Sequence, residues 1–143
     1  MATRNGSAEW RGDLKGGSGD LTMGQGAWQG SYSFASRFEE GEGTNPEELL
    51  AAAHAACFSM ALANILAEHG HEPRSVRTTA RVHLRNVDGA PTIQRIELDT
   101  EGEVGDIDEE HFRQHAEEAK AGCPVSRALG AVEEIELTAR VAG

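Results

Sequence analysis

Two cysteines and six histidines are the residues of this 143-residue chain best suited to chemistry. Cys57 and Cys123 stand 66 positions apart, with no C-x-x-C or H-x-x-x-H companion. Zinc-finger spacing is therefore missing, and no metal site is expected. The sequence also lacks a P-loop and a dinucleotide fingerprint, and Gly17-Ser18-Gly19 reads as a turn. Cys123 precedes Pro124, a natural first helical residue. That puts the cysteine at a helix N-cap, where the dipole and free N–H groups favour a thiolate. Lys120 and Arg127 are close in sequence. By local chemistry alone Cys123 is the first choice of nucleophile, with a small polarisable cap filler as the plain alternative. Cys57 lies within Ala55-Ala56-Cys57-Phe58-Ser59-Met60, in mid-helix, and from position alone reads first as an inert buried thiol. Burial raises a thiol pKa, so reactivity there requires a nearby cation. His54 precedes Cys57 by three residues on the same helix face. It either tunes the thiol or is a hydrogen-bonded histidine of a core or interface.

Composition narrows the setting. With Lys+Arg 13 against Asp+Glu 24, the formal net charge is −11. A chain this acidic is ill-suited to a nucleic-acid backbone or an anionic lipid surface, so neither nucleic acid nor membrane is an expected partner. Hydrophobic residues make up 38%, enough for a core, but aromatics are only 5%, so that core must be mainly aliphatic and alanine. The length fits one domain spanning 1–143. Met1 to Lys15 is polar and charged, without the apolar run of a signal peptide. Leu49 to Ala67 approaches the length of a membrane span. It carries His54 and Asn64, is rich in alanine, and is followed by Glu68, His69 and His71, so a core helix is the better reading. The expected compartment is the cytoplasm, where a cysteine pair is more often reactive than a structural staple.

The elements that must position these residues follow from periodicity and turn signals. Residues 5–38 read as three short strands, around Ala8-Trp10, Leu21-Met23 and a run from Tyr32 through Phe34 to Arg37-Phe38. Glycine clusters supply the turns. Asn45 as N-cap, Pro46 at the first position and Glu48 in capping-box position open a long helix. It runs to about Glu68 or His69 and stops at Gly70. Leu49, Leu50, Ala53, Cys57, Met60, Ala61 and Ile65 cover much of its circumference and alanines much of the rest, so the helix should be enclosed on most sides, in part by a partner subunit. Alternating strands follow, from Val76 to Arg85 and from Ile93 to Asp99, joined by the hairpin signal Asp88-Gly89-Ala90-Pro91. Asp108 caps a helix over about Glu109 to Ala121, and Cys123-Pro124 starts a short one ending near Gly130. A last strand runs from about Glu133 to Val141. The order βββ-α-ββ-α-α-β is an α+β fold.

The segment from Arg37 through Gly43-Thr44-Asn45-Pro46-Glu47-Glu48-Leu49 into Ala51-Ala52-Ala53-His54-Ala55-Ala56-Cys57 adds a resemblance. With Gly122-Cys123-Pro124-Val125-Ser126 and the opening Ala8-Glu9-Trp10-Arg11-Gly12-Asp13-Leu14, it resembles the OsmC/Ohr family of thiol peroxidases, nearest its osmotically inducible protein C branch. The resemblance covers nearly the whole chain. It implies antiparallel sheets wrapped around two central helices in an intertwined homodimer, and reduction of organic hydroperoxides, with hydrogen peroxide reduced less well, in oxidative and osmotic stress defence. Cys57 matches the peroxidatic and Cys123 the resolving cysteine, which reverses the local ranking of the two thiols. Arg37 and Glu47 match the family's Arg–Glu pair. The cycle needs no cofactor beyond an external dithiol, such as a lipoylated or thioredoxin-like protein. Phe58, Met60 and Leu129 are the candidates for a small aliphatic substrate pocket. The contrasting reading is a non-enzymatic redox-sensing or stress-binding protein using the same thiols.

Helix geometry adds one expectation. Glu47 and Cys57 are ten residues apart on one helix, about 15 Å along its axis at 1.5 Å per residue. Glu47 cannot reach the thiol of its own helix. It is expected, with Arg37, to serve Cys57 of a two-fold-related subunit.

Overall fold

The computed structural model describes residues 3–143, in two compact units, the first ending at Leu49 and the second beginning at Leu50. The first unit is an antiparallel meander, β1 (Gly6–Arg11), β2 (Ser18–Met23) and β3 (Trp28–Tyr32), in the order β1-β2-β3. Register places Gly19 between Trp10 on one side and Tyr32 on the other. The two aromatic rings meet over it with centroids 5.3 Å apart, and a Cβ there would overlap both. A glycine that weakens the strand by propensity is thus required by packing.

The third strand is shorter than its sequence pattern predicts. Phe34–Phe38 is a short helix, α1. The cause is local: Ser33 Oγ accepts from Ser36 N at 3.1 Å while Ser36 Oγ accepts from Ser33 N at 2.8 Å. This reciprocal capping box offers the backbone a helical start that outweighs the strand preference of the flanking aromatics.

The long helix, α2 (Pro46–Glu68), begins and ends where its signals lie. Asn45 Oδ1 accepts from Glu48 N at 2.8 Å, and Gly70 takes φ +82 just past the end. The Glu48 carboxylate does not close a capping box; it accepts instead from Thr44 Oγ1 at 3.0 Å.

In the second unit, β4 (Ser75–Val87) and β5 (Ala90–Glu103) form a long hairpin. Asp88 and Gly89 both have positive φ, as a two-residue type I′ turn demands. Helices α3 (Glu109–Gly122) and α4 (Pro124–Ala128) then return the chain to β6 (Glu134–Val141). β6 pairs parallel with β5, so this sheet is mixed, in the order β4-β5-β6. A parallel neighbour requires a crossover, and the two helices supply it.

The core gathers Phe58, Leu62 and Leu66 from α2, Ile96 and Leu98 from β5, and Phe112, Ala116 and Ala119 from α3, with Cys123. It is mostly aliphatic and alanine, as the low aromatic content requires. Burying each large side chain contributes about 1.5–3 kcal/mol. The Phe112 ring sits on Gly102 of β5, where a Cβ would collide with it.

Within the chain α2 is buried along one stripe, His54, Phe58, Leu62 and Leu66, spaced by four residues. The opposite face, with Ala52, Ala53, Ala56 and Met60, is exposed. The helix is long and apolar enough to cross a membrane by length and composition, but its buried stripe belongs to the core of this unit.

Candidate active site

Arg37 stands on α1 and Glu47 in the first turn of α2, both within the first unit. Arg37 Nε donates to Glu47 Oε1 at 3.0 Å and Nη2 donates to Oε2 at 2.9 Å. The Glu47 side chain is 10% exposed and that of Arg37 37%, so the pair is anchored at its acid end and open at its guanidinium. A bidentate fork of this kind fixes the plane of the guanidinium and leaves its remaining N–H groups free to meet an anion. The connection from α1 to α2 is held by Ser36 Oγ donating to Thr44 O at 2.7 Å and Asn45 Nδ2 donating to Ser36 O at 2.8 Å.

Beside Arg37 is a cavity of about 220 Å³ lined by Trp10, Leu14, Tyr32, Ser33, Phe34, Arg37 and Phe38. Its walls come from β1, the loop after it, β3 and α1 of the same unit. The scattered aromatics of residues 10–38 give no sign in sequence that they converge.

The two cysteines lie in the second unit, and the start of α4 joins them. Cys123 is buried and is the N-cap of α4, where its Sγ accepts from Ser126 N at 3.4 Å. Cys57 is half-buried on α2, near the Val125 backbone N–H. The first turn of α4 therefore supplies an amide hydrogen bond to Cys123 and lies beside Cys57. Both thiols are free. Burial pushes the Cys57 thiol up; the Val125 N–H acts against this, and the adjoining Cys123 adds to the rise. No cation of this unit is among the groups that shift it. Lys120, near Cys123 in sequence, is engaged with Ile135 O and the Glu117 carboxylate, each at 3.2 Å.

A third buried group reaches the thiols. His54 Nε2 lies 2.6 Å from Ser126 Oγ, and the Cys123 thiol donates to the same Oγ at 3.2 Å. His54 is fully buried, and burial pushes its pKa below the ordinary 6.5, so the ring is neutral at pH 7. Ser126 was visible in the Cys-Pro-Val-Ser run, where its spacing from Cys123 suits an N-cap contact. Its link to His54, 72 positions away, had no signal in sequence.

Of the residues expected to line a substrate pocket, Phe58 and Leu129 share the core of the second unit and Met60 lies apart from them. Phe58 is fully buried in the core, Met60 is 75% exposed on another face of α2, and Leu129 packs at the edge of the core. Among the described residues no cluster of three or more His, Cys, Asp or Glu side chains could hold a metal ion.

The structure is an α+β protein with two free cysteines near the start of α4. A sequence profile of the family described as OsmC-like protein matches residues 39–138. The chain is 49% identical over 129 residues to the peroxiredoxin OsmC of Escherichia coli (strain K12), and equally to that of Shigella flexneri, covering 90% of each chain. The fold is shared with the organic hydroperoxide resistance protein OhrB of Bacillus subtilis, at TM-score 0.69 and 24% identity over 96% of this chain and 98% of that one. It is shared also with an OsmC-like protein of Mycoplasma pneumoniae, at TM-score 0.73 and 18% identity over 99% of both. The chain belongs to the OsmC-like protein family. It is an enzyme of the peroxiredoxin type, a cysteine-based peroxidase.

Proposed function

We propose that this protein reduces hydroperoxides, organic ones in preference to hydrogen peroxide, through Cys57 as peroxidatic and Cys123 as resolving cysteine. The observation that carries the reading is the pair of free thiols meeting at the first turn of α4. The Cys57 thiolate attacks the terminal peroxide oxygen, the O–O bond breaks, and an alcohol leaves while Cys57 becomes a sulfenic acid. Cys123 then attacks the Cys57 sulfur, a disulfide forms, and water leaves. An external dithiol, a lipoyl group or a thioredoxin-like protein, reduces the disulfide by exchange.

Burial alone works against the Cys57 thiolate, so a cation must stabilise it. Arg37, with its plane fixed by Glu47, is the residue for that role. Its free N–H groups would also polarise the peroxide and stabilise the departing alkoxide. Because Glu47 and Cys57 are ten residues apart on α2, the fork serves Cys57 of a second copy. The exposed face of α2, with Ala52, Ala53, Ala56 and Met60, supports a homodimer in which close helix approach covers it. The aromatic cavity beside Arg37 supports an apolar peroxide tail as the preferred substrate.

The test is turnover of cumene hydroperoxide and hydrogen peroxide with a dithiol reductant. Wild-type protein is expected to turn over both, cumene hydroperoxide with the higher kcat/KM. Absence of turnover with either overturns the peroxidase mechanism, and a peroxidase active as a stable monomer at nanomolar concentration overturns the shared site.

A further inference from the structure

We propose that His54 and Ser126 form a buried proton relay for Cys123, which takes up its thiol proton as the disulfide forms. The inference rests on the peroxidase reading above and assigns residues that this reading leaves unused.

Three observations carry it. His54, Ser126 and Cys123 are all buried, at 0%, 6% and 1% exposure, so the contacts among them exclude bulk water. The hydrogen bonds form a directed chain. The Cys123 S–H donates to Ser126 Oγ at 3.2 Å, and Ser126 Oγ lies 2.6 Å from His54 Nε2; in the tautomer with Nε2 unprotonated, the one Ser126 hydroxyl proton is directed at that nitrogen. His54 is held as the neutral ring, the form that accepts a proton.

The step balances as follows. The Cys123 thiol proton moves to Ser126 Oγ as the Ser126 hydroxyl proton moves to His54 Nε2. Cys123 is left as a thiolate, which the Ser126 N–H and the Ser126 hydroxyl both face. Its electron pair forms the S–S bond to Cys57, and the Cys57 S–O bond breaks with loss of hydroxide. The buried imidazolium, disfavoured by desolvation, returns its proton through the Ser126 hydroxyl, its hydrogen-bond partner, to the departing hydroxide, which leaves as water. Sulfenic acid and thiol have become disulfide and one water, with no net change in protons. Ser126 touches the reacting sulfur, and His54 acts on it through Ser126.

The test separates the two steps. Reduced protein is mixed with one equivalent of cumene hydroperoxide. Peroxide loss reports the first step, and the decay of dimedone-trappable Cys57 sulfenic acid, read by mass spectrometry, reports the second. His54→Gln keeps an acceptor for Ser126 but takes up no proton, while Ser126→Ala breaks the chain with little change in volume. In both variants the peroxide burst is expected to remain while sulfenic acid decay slows about 10²-fold, the size of one general-base contribution. A wild-type decay rate in either variant overturns the relay. So does an equal loss in both steps, which would mark a structural role. Failure of the wild-type protein to form any sulfenic acid would instead overturn the peroxidase reading, and the relay with it.

Discussion

Arg37 and Glu47 face each other across the turn between α1 and α2 and share two parallel hydrogen bonds, at 3.0 and 2.9 Å. The acid end of the fork is buried and the guanidinium is open. If that opening stabilises the Cys57 thiolate, Arg37→Ala raises the thiolate pKa measured by ultraviolet titration. It also lowers kcat/KM about 10²- to 10³-fold, the cost of removing one preorganised donor. Arg37→Lys is expected to restore little, since an ammonium cannot reproduce the fork. An unchanged pKa in Arg37→Ala would show that the thiolate is stabilised elsewhere.

The two cysteines are expected to fail differently. Cys57→Ser abolishes peroxide consumption. Cys123→Ser retains a burst of one equivalent and then stops, because the sulfenic acid forms but has no intramolecular partner. Stopped-flow peroxide consumption without reductant distinguishes the two. Equal loss in both variants contradicts the assigned roles.

His54 also links pH to stability. Its folded-state pKa lies below its unfolded value of about 6.5 because burial disfavours the charged ring. Between those two values the unfolded chain binds more protons than the folded one, so stability rises with pH there. The His54 contribution is complete above pH 6.5 and is lost as pH falls toward and through the folded pKa. Urea midpoints at pH 5.5 and 7.5 measure this, and His54→Gln is expected to flatten the difference. A wild-type slope in that variant would assign the pH response to other groups.

Phe112 against Gly102 tests the core of the second unit. Phe112→Ala is expected to cost about 3–5 kcal/mol in urea unfolding, as a large buried side chain leaving a cavity. Gly102→Ala should also destabilise, because its Cβ falls on the Phe112 ring. The two effects should be strongly non-additive, with Gly102→Ala milder in the Phe112→Ala background. Additivity would show that the ring moves aside freely.

Much of this protein is local and was therefore legible in one dimension. Asn45-Pro46, Asp88-Gly89, Asp108 and Cys123-Pro124 each encode a cap or turn through the geometry of one or two residues, and the structure uses all four. The same logic misjudged Phe34 to Phe38, where aromatic propensity favoured a strand and two serines made a helix. The aromatic cavity beside Arg37 and the mixed second sheet depend on which distant segments meet, and no spacing encodes that. The cysteines divide the same way. Their number, their helix positions and the N-cap at Cys123 are properties of the sequence. That the start of α4 lies beside both sulfurs, and that Ser126 links Cys123 to His54, 72 residues before Ser126, are decided by the packing of α2 against α4. A short-range hydrogen bond between distant residues exists only once the core has placed their backbones, and only tertiary structure does that.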